Sequence, residues 1–259
     1  MPIITTLDDW LDTPLGRYMR AWEQKCLDSM TADIFGFKAV QVGFPKIQAL
    51  RNNRMQHRWL ADVALSQSGI DDSHPDSQPV SVLLNYGELP FASQSIDLVV
   101  LPHILEFATE PHQILREVER VLIPEGQVII SGFNPASIWG MRQAMGRVTG
   151  AHFLPEYADF ISLLRLQDWL KLLNFEVNRG HFGCYKPPCQ SEKWLRRFSF
   201  MEKTGDRWWP VFGAVYIVQA VKRIQGMTLV GQSWIRNAPR IRQTVPVANK
   251  AKKRDHGQG

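Results

Sequence analysis

A strand, a helix and a second strand follow one another in the middle of the chain, and this unit constrains the fold most. The segment SIDLVVL, from Ser95, is apolar on both faces, as a strand buried inside a parallel sheet is. PHQILREVERVL, from Pro111, has apolar residues on one helical face and charged residues on the other. QVIISGF, from Gln127, is again an apolar strand. This order predicts a parallel β-α-β unit.

The same alternation extends to both sides of this unit. Further strands are predicted in KAVQVG from Lys38, HRWLADVA from His57, VSVLL from Val80, around Phe175 to Val177, and in GAVYIVQAVKR from Gly213. Helices are predicted over 13–30, 46–56 and 165–174, and a polar loop over 66–79. Thr13 and Pro14 are residues that suit the start of the first helix.

No helical pattern separates the last two predicted strands, which favours an antiparallel pair at the edge of the sheet. We therefore expect an α/β fold with a mostly parallel seven-stranded sheet, an antiparallel last strand and helices on both faces. Ligands bind such sheets beyond the carboxyl ends of the strands, so site residues are expected there.

Composition and length limit the domain organisation and the cellular setting. The chain has 259 residues, of which 44% are hydrophobic, and this is enough for one large core. No basic stretch followed by an apolar one opens the sequence, and no apolar run approaches the roughly 18 residues that span a bilayer. Three cysteines are too few for a disulfide framework, which favours the cytoplasm.

The net charge of +5 is concentrated at the end of the chain. Residues 236–259 hold seven basic residues and one acidic residue, a tail that could touch nucleic acid or anionic lipid. Its composition is more typical of a solvated, disordered end. We expect one domain over 1–235, with an N-terminal helical cap over 1–36 and an insert over 180–212 between the last two strands.

The most informative stretch runs from Leu84 to Arg142. Its motifs are Leu89-Pro90-Phe91, Asp97-Leu98-Val99-Val100, Ile104-Leu105-Glu106-Phe107, Glu117 to Leu122, and Pro124-Glu125-Gly126. Together they resemble the class I S-adenosylmethionine-dependent methyltransferases, in particular the type 11 group. The resemblance implies a Rossmann-like methyltransferase fold and S-adenosylmethionine as the cofactor.

The turn after the first strand departs from this family. The family has Asp-x-Gly-x-Gly-x-Gly here, and the aligned run is Gln41-Val42-Gly43-Phe44-Pro45-Lys46. Gly43 matches the first glycine, but Gln41 replaces the acid. Pro45 replaces the second glycine and has no N–H to donate. The resemblance assigns cofactor contacts to Gly43 and Phe44, while the departures leave a cofactor-free binding or regulatory protein as the alternative.

Three residues after the second and third strands complete the cofactor site that the resemblance implies. Asp62, 19 residues after Gly43, takes the place of the acid that holds the ribose hydroxyls, or is a surface aspartate. Asn85 replaces an acid that meets the adenine amino group, and its carbonyl can still accept a hydrogen bond. Tyr86 could line the adenine slot.

Candidate catalytic and acceptor-binding residues follow the fourth and fifth strands. His103, also a cofactor contact, is a candidate base, because an imidazole suits proton transfer near neutral pH. Glu106 is the second candidate, and both residues have structural roles as alternatives. Asn134 and Trp139 are predicted to contact the acceptor, since Phe133-Asn134-Pro135 resembles a family position on that side; the alternative is an Asn-Pro turn.

No metal site is expected, because His181, Cys184 and Cys189 lack a fourth ligand. The sequence therefore predicts an S-adenosylmethionine-dependent methyltransferase with an unidentified, small-molecule acceptor. Two other hypotheses stay open: an inactive methyltransferase-like protein, and a nucleic-acid- or membrane-associated protein that works through its tail.

Overall fold

The computed structural model describes residues 7–62, 81–149, 154, 158–189 and 191–223. Its strands form one seven-stranded sheet in the order β3-β2-β1-β4-β5-β7-β6. The strands are β1 Lys38–Val42, β2 His57–Asp62, β3 Val82–Leu83, β4 Ile96–Pro102, β5 Leu122–Phe133, β6 Phe175–Gly183 and β7 Val215–Lys222. β1 to β5 pair in parallel, and β7 is antiparallel to both β5 and β6. The predicted fold is confirmed.

The helices lie before, between and after these strands. They are α1 Leu7–Leu11, α2 Pro14–Ala32, α3 Ile104–Phe107, α4 Pro111–Val121, α5 Ile138–Thr149, α6 Leu163–Leu172, α7 Glu192–Arg197 and α8 Phe200–Trp208, with a 3₁₀ turn at Pro210–Phe212. α2 starts as predicted, since the Thr13 side chain accepts a hydrogen bond from the N–H of Gly16 at 3.1 Å.

Each face of the sheet is covered by its own apolar core, because side chains alternate along every strand. Leu98 and Val100 of β4 join a core with α1, α2 and α5. Val99 and Leu101 of the same strand join a second core with α4 and α6. The carboxyl ends of β1 to β5 therefore open at one edge of a sheet that is covered on both faces.

Two expectations about local structure are wrong. Residues 43–56, all of which the structure describes, form turns where a helix over 46–56 was predicted. Helices α7 and α8 lie in the insert, where no helical pattern was recognised. The predicted loop over 66–79 and the tail over 236–259 lie outside the described residues.

Candidate active site

The segments that follow β3 and β4 enclose a cavity of about 300 Å³ at the carboxyl edge of the sheet. Its walls are the turn 85–87 and the segment 107–110, with Gln113 and Ile114 of α4. Asn85 and Tyr86, two of the predicted cofactor contacts, line this cavity. Parallel strands bring these segments together because their carboxyl ends share one edge.

Asp62, the acid at the end of β2, is linked to this cavity by a hydrogen bond with Tyr86. The hydroxyl of Tyr86 donates a hydrogen bond of 2.7 Å to Oδ1 of Asp62. The same hydroxyl lies 3.2 Å from the point where a side chain at Gly43 would begin. The structure thus brings together Gly43, Asp62 and Tyr86, which the sequence places far apart.

The turn after β1 is organised by the side chain of Gln41, which is buried. Its Nε2 donates to the carbonyl oxygens of Gly43 at 3.1 Å, Phe44 at 3.2 Å and Ile47. Its Oε1 accepts from the N–H of Ala49 at 2.9 Å. A side-chain amide can do both, whereas a carboxylate accepts only. These bonds satisfy backbone groups that helix bonds would otherwise use, which explains why no helix follows β1.

Gly43 is needed where it stands, for two reasons. Its φ of +74° is in the left-handed region. A Cβ there would also lie only 2.2 Å from Cδ1 of Ile104. The side of Gly43 on which a side chain would stand therefore faces the apolar side chain of Ile104. Phe44, the other predicted contact in this turn, packs edge-on against Phe107 with ring centroids 5.8 Å apart.

A buried ionic network lies where β4 and β5 end. His103 has no exposed surface; its Nδ1 is 2.9 Å from Oε2 of Glu106 and its Nε2 is 3.4 Å from Oε2 of Glu23, on α2. The other oxygen of Glu106 accepts from the N–H of Phe133, and the other oxygen of Glu23 accepts from the hydroxyl of Ser131. This network joins α2, α3 and β5.

Charge pairing overrides burial at His103. Burial alone would lower the pKa of the imidazole, but the carboxylates of Glu23 and Glu106 raise it from 6.5 to about 10. Burial raises the pKa of Glu106 above its usual value, against the opposing effect of His103 and the Phe133 N–H. At neutral pH the imidazole is therefore a cation held by the two glutamates.

This pairing predicts a loss of stability with rising pH. A histidine whose folded pKa lies above its unfolded pKa stabilises the fold fully below about pH 6.5, and this contribution disappears as the pH approaches about 10. We expect urea unfolding to give a lower free energy at about pH 8.5 than at about pH 6. The difference should shrink in His103→Ala, and an equal difference in both proteins would contradict the assignment.

The predicted catalytic and acceptor residues occupy buried positions. His103 and Glu106 are brought together, but the enclosed imidazolium carries no lone pair with which to act as a base. Asn134 donates to the carbonyls of Val211 and Gly213, at 2.8 and 3.0 Å. Trp139 is buried and donates to the carbonyl of Lys186 at 2.7 Å. The catalytic and acceptor roles of these four residues stay predictions.

Glu23 is the member of the network that sequence reasoning missed. It lies on α2 four residues from Met19 and four from Leu27, and all three are buried. Residues four apart share one face of a helix. An acid in the middle of an apolar stripe was the signal, because a charged residue enters a core only with a partner.

Two features are absent from the described part of the chain: a metal site and a membrane-spanning helix. No group of three or more histidine, cysteine or acidic side chains within it is arranged to hold a metal ion. Within the same residues, no helix combines the length and the apolar character that crossing a membrane requires.

Comparison with known proteins identifies the fold and the family. A family model described as a methyltransferase domain matches residues 55–130, from just before β2 into β5, so the match leaves out β1 and its turn. Structures of S-adenosylmethionine-dependent methyltransferases superpose on the chain. One from Thermotoga maritima has a TM-score of 0.59 and 15% identity, over 83% of this chain and 94% of the other. One from Archaeoglobus fulgidus has a TM-score of 0.53 and 16% identity, over 78% and 94%.

A relative of similar length covers almost the whole chain. The uncharacterized protein YafS of Escherichia coli (strain K12) is 31% identical over 247 residues, which is 95% of this chain and 93% of YafS. The strand order, the matched domain and the superposed structures all indicate the same methyltransferase fold. The chain belongs to the same family as YafS, carries a methyltransferase domain over residues 55–130, and has the fold of the class I S-adenosylmethionine-dependent methyltransferases.

Proposed function

We propose that the protein transfers the methyl group of S-adenosylmethionine to a small-molecule acceptor. The observation that carries this proposal is the convergence of three segments at the carboxyl edge. Asp62 ends β2 and accepts a hydrogen bond from the hydroxyl of Tyr86. Tyr86 and Asn85 line the cavity of about 300 Å³ beside the segment after β4. This arrangement supports the proposal, because the family resemblance assigns the ribose hydroxyls to Asp62 and the adenine slot to Asn85 and Tyr86.

The residues present fit the adenosine part of the cofactor. Asp62 would accept hydrogen bonds from the ribose hydroxyls, and Asn85 would accept one from the adenine amino group. Tyr86 would line the adenine slot, and Gly43 with Phe44 would lie beside the methionine chain. When bound, S-adenosylmethionine supplies a methyl group already activated for attack by a nucleophile.

In this proposal the protein aligns the two reactants and excludes water. Such a transfer needs few catalytic side chains, since alignment lowers the barrier and the cofactor carries the activation. His103, Glu106 and Glu23 act as positioning residues, which fix the segment after β4 against α2 and β5. A small acceptor is favoured because α2 lies over the ends of β4 and β5. A cytoplasmic location stays a prediction.

Titration calorimetry with S-adenosylmethionine and S-adenosylhomocysteine tests the proposal. We expect saturable binding of both by the full chain, and weakening of roughly tenfold to hundredfold in Asp62→Ala, because charge-assisted hydrogen bonds to the ribose are lost. The control is Asp168→Ala, which changes an exposed aspartate on α6 and should bind as the unmodified protein does. Equal affinities in the two variants would contradict the role of Asp62.

A second function, a methyltransferase-shaped protein that works without the cofactor, is favoured by the contact between Ile104 and Gly43. Pro45 adds to it, since it cannot donate a backbone hydrogen bond to a ligand. The same titration separates the two functions. Heat from neither ligand, at protein concentrations far above micromolar dissociation constants, would reject methyl transfer and favour the second function.

A further inference from the structure

The insert displays an unusual number of exposed large apolar side chains. Trp208 is 67% exposed and Phe200 is 60% exposed. Trp194, Trp209, Val211 and Phe212 are each at least half exposed as well, and we call these six side chains of the insert the aromatic surface. Exposed apolar groups scattered singly are ordinary, but a concentration of them marks an interaction site.

Basic side chains are interspersed among these apolar ones. The sequence from Lys186 to Phe212 holds six basic and three acidic residues. The basic side chains at Lys193, Arg196, Arg197 and Arg207 are exposed. The aromatic surface is therefore positively charged as well as apolar.

Contacts within the insert, and one hydrogen bond from the domain, hold its outward-facing aromatic residues in place. The hydroxyl of Tyr185 donates to the carbonyl of Pro210 at 2.8 Å, and the ring of Tyr185 packs against Gly205 of α8. Asn134, directly after β5, donates to the carbonyl of Val211. The part of the aromatic surface that residues 208–212 form thus lies at the carboxyl edge of the sheet, next to the end of β5.

A cavity of about 420 Å³ opens beside this surface. Lys186, Arg196 and Ser199 line it together with Glu192 and Leu195. The carboxylate of Glu192 is paired with Arg17 at 3.1 Å, so the positive charges of Lys186 and Arg196 are in excess. Two cations and a hydroxyl are groups that bind a phosphate.

We propose that the aromatic surface binds the surface of an anionic phospholipid bilayer, and that the cavity accepts a lipid phosphate group. Tryptophan lies favourably at the boundary between headgroups and acyl chains, and basic residues are attracted to anionic lipids. Short amphipathic segments bind a membrane in this manner without crossing it. The proposal does not depend on methyl transfer.

The positive charge argues against two other occupants. A second copy of the chain would bring the same positive surface against itself, and the tail over 236–259 is basic as well. A nucleic acid would satisfy the charge but offers no apolar interior for side chains such as Val211. An anionic bilayer complements both the charge and the apolar character.

Flotation of the full chain with vesicles tests the proposal. We expect binding to vesicles of phosphatidylcholine and phosphatidylglycerol in equal parts, weak binding to phosphatidylcholine alone, and weaker binding at high salt. The double variant Trp208→Ala/Trp209→Ala should bind about tenfold more weakly, because the interfacial aromatic groups are lost. Arg196→Gln should also weaken binding, since the cavity loses a cation.

The matched control is Phe35→Ala/Phe37→Ala, which removes two aromatic side chains that are 76% and 71% exposed, before β1 and so at the opposite edge of the sheet. It should bind as the unmodified protein does. Equal binding by both double variants would overturn the proposal. So would loss of binding only when Lys250, Lys252, Lys253 and Arg254 are changed to Gln, which would assign it to the tail.

Two further outcomes would also overturn the proposal. One is a dimer, measured by sedimentation, that Trp208→Ala/Trp209→Ala converts to a monomer while no vesicle is bound. The other is binding of a single-stranded oligonucleotide, but not of anionic vesicles, that is lost in the same variant.

Discussion

Replacing His103 with Ala is expected to lower the free energy of unfolding by about 3–5 kcal/mol at neutral pH. The imidazolium lies between the carboxylates of Glu23 and Glu106, and all three side chains are buried. Removing the cation leaves two buried acids with no opposite charge, and this costs far more than the lost packing. Urea unfolding monitored by circular dichroism measures the effect.

A double variant distinguishes lost charge pairing from a simple cavity. Glu23→Gln in the His103→Ala background removes one of the stranded charges, so the double variant should be more stable than His103→Ala alone. His112→Ala, at an exposed histidine of α4, serves as the control and should cost far less. If Glu23→Gln fails to recover stability, charge pairing is not what holds the network.

Replacing Gln41 with Glu is expected to lower the free energy of unfolding by about 2–4 kcal/mol, although the two side chains have the same shape. The Nε2 of Gln41 donates to the carbonyls of Gly43, Phe44 and Ile47. A carboxylate oxygen in its place would meet these acceptors without a proton to share. Gln41→Asp, which restores the acid of the family motif, should destabilise the turn as well, since its side chain is also too short.

Gln94→Glu is the matched control for this prediction. Gln94 is exposed, and the same change there should leave the free energy of unfolding nearly unaltered. Stability of Gln41→Glu equal to that of this control would mean that the amide bonds do not organise the turn. The measurement also bears on cofactor binding, because the turn carries Gly43 and Phe44.

The wrong prediction of a helix over 46–56 has an identifiable cause. The local sequence pattern predicted a weak amphipathic helix. The backbone between β1 and β2 instead forms hydrogen bonds with the side chain of Gln41, on β1. Propensity is a weak signal that tertiary contacts override. The helices of the insert were missed for a related reason: α7 buries Leu195 alone, so it lacks the apolar stripe by which a helix is recognised.

The candidate site also has a part that the sequence predicted and a part that only the structure showed. Asp62, Asn85, Tyr86 and Gly43 were predicted from a family resemblance, and the structure gathers them at one edge of the sheet. Their proximity depends on parallel pairing of distant strands, which follows from the alternation of strands and helices. The contact between Ile104 and Gly43 had no sequence signal, because it depends on the positions of two side chains.

The sequence by itself determined the seven-stranded α/β fold, since apolar periodicity decides which residues form strands and which face a core. It also predicted the methyltransferase domain, through motifs from Leu84 onward. Only the tertiary structure decided the protonation state of the His103 imidazole. From the sequence, the histidine after β4 is a candidate base. In the structure α2 places Glu23 beside it, and the charge of an imidazole depends on such neighbours, which lie far away in the chain.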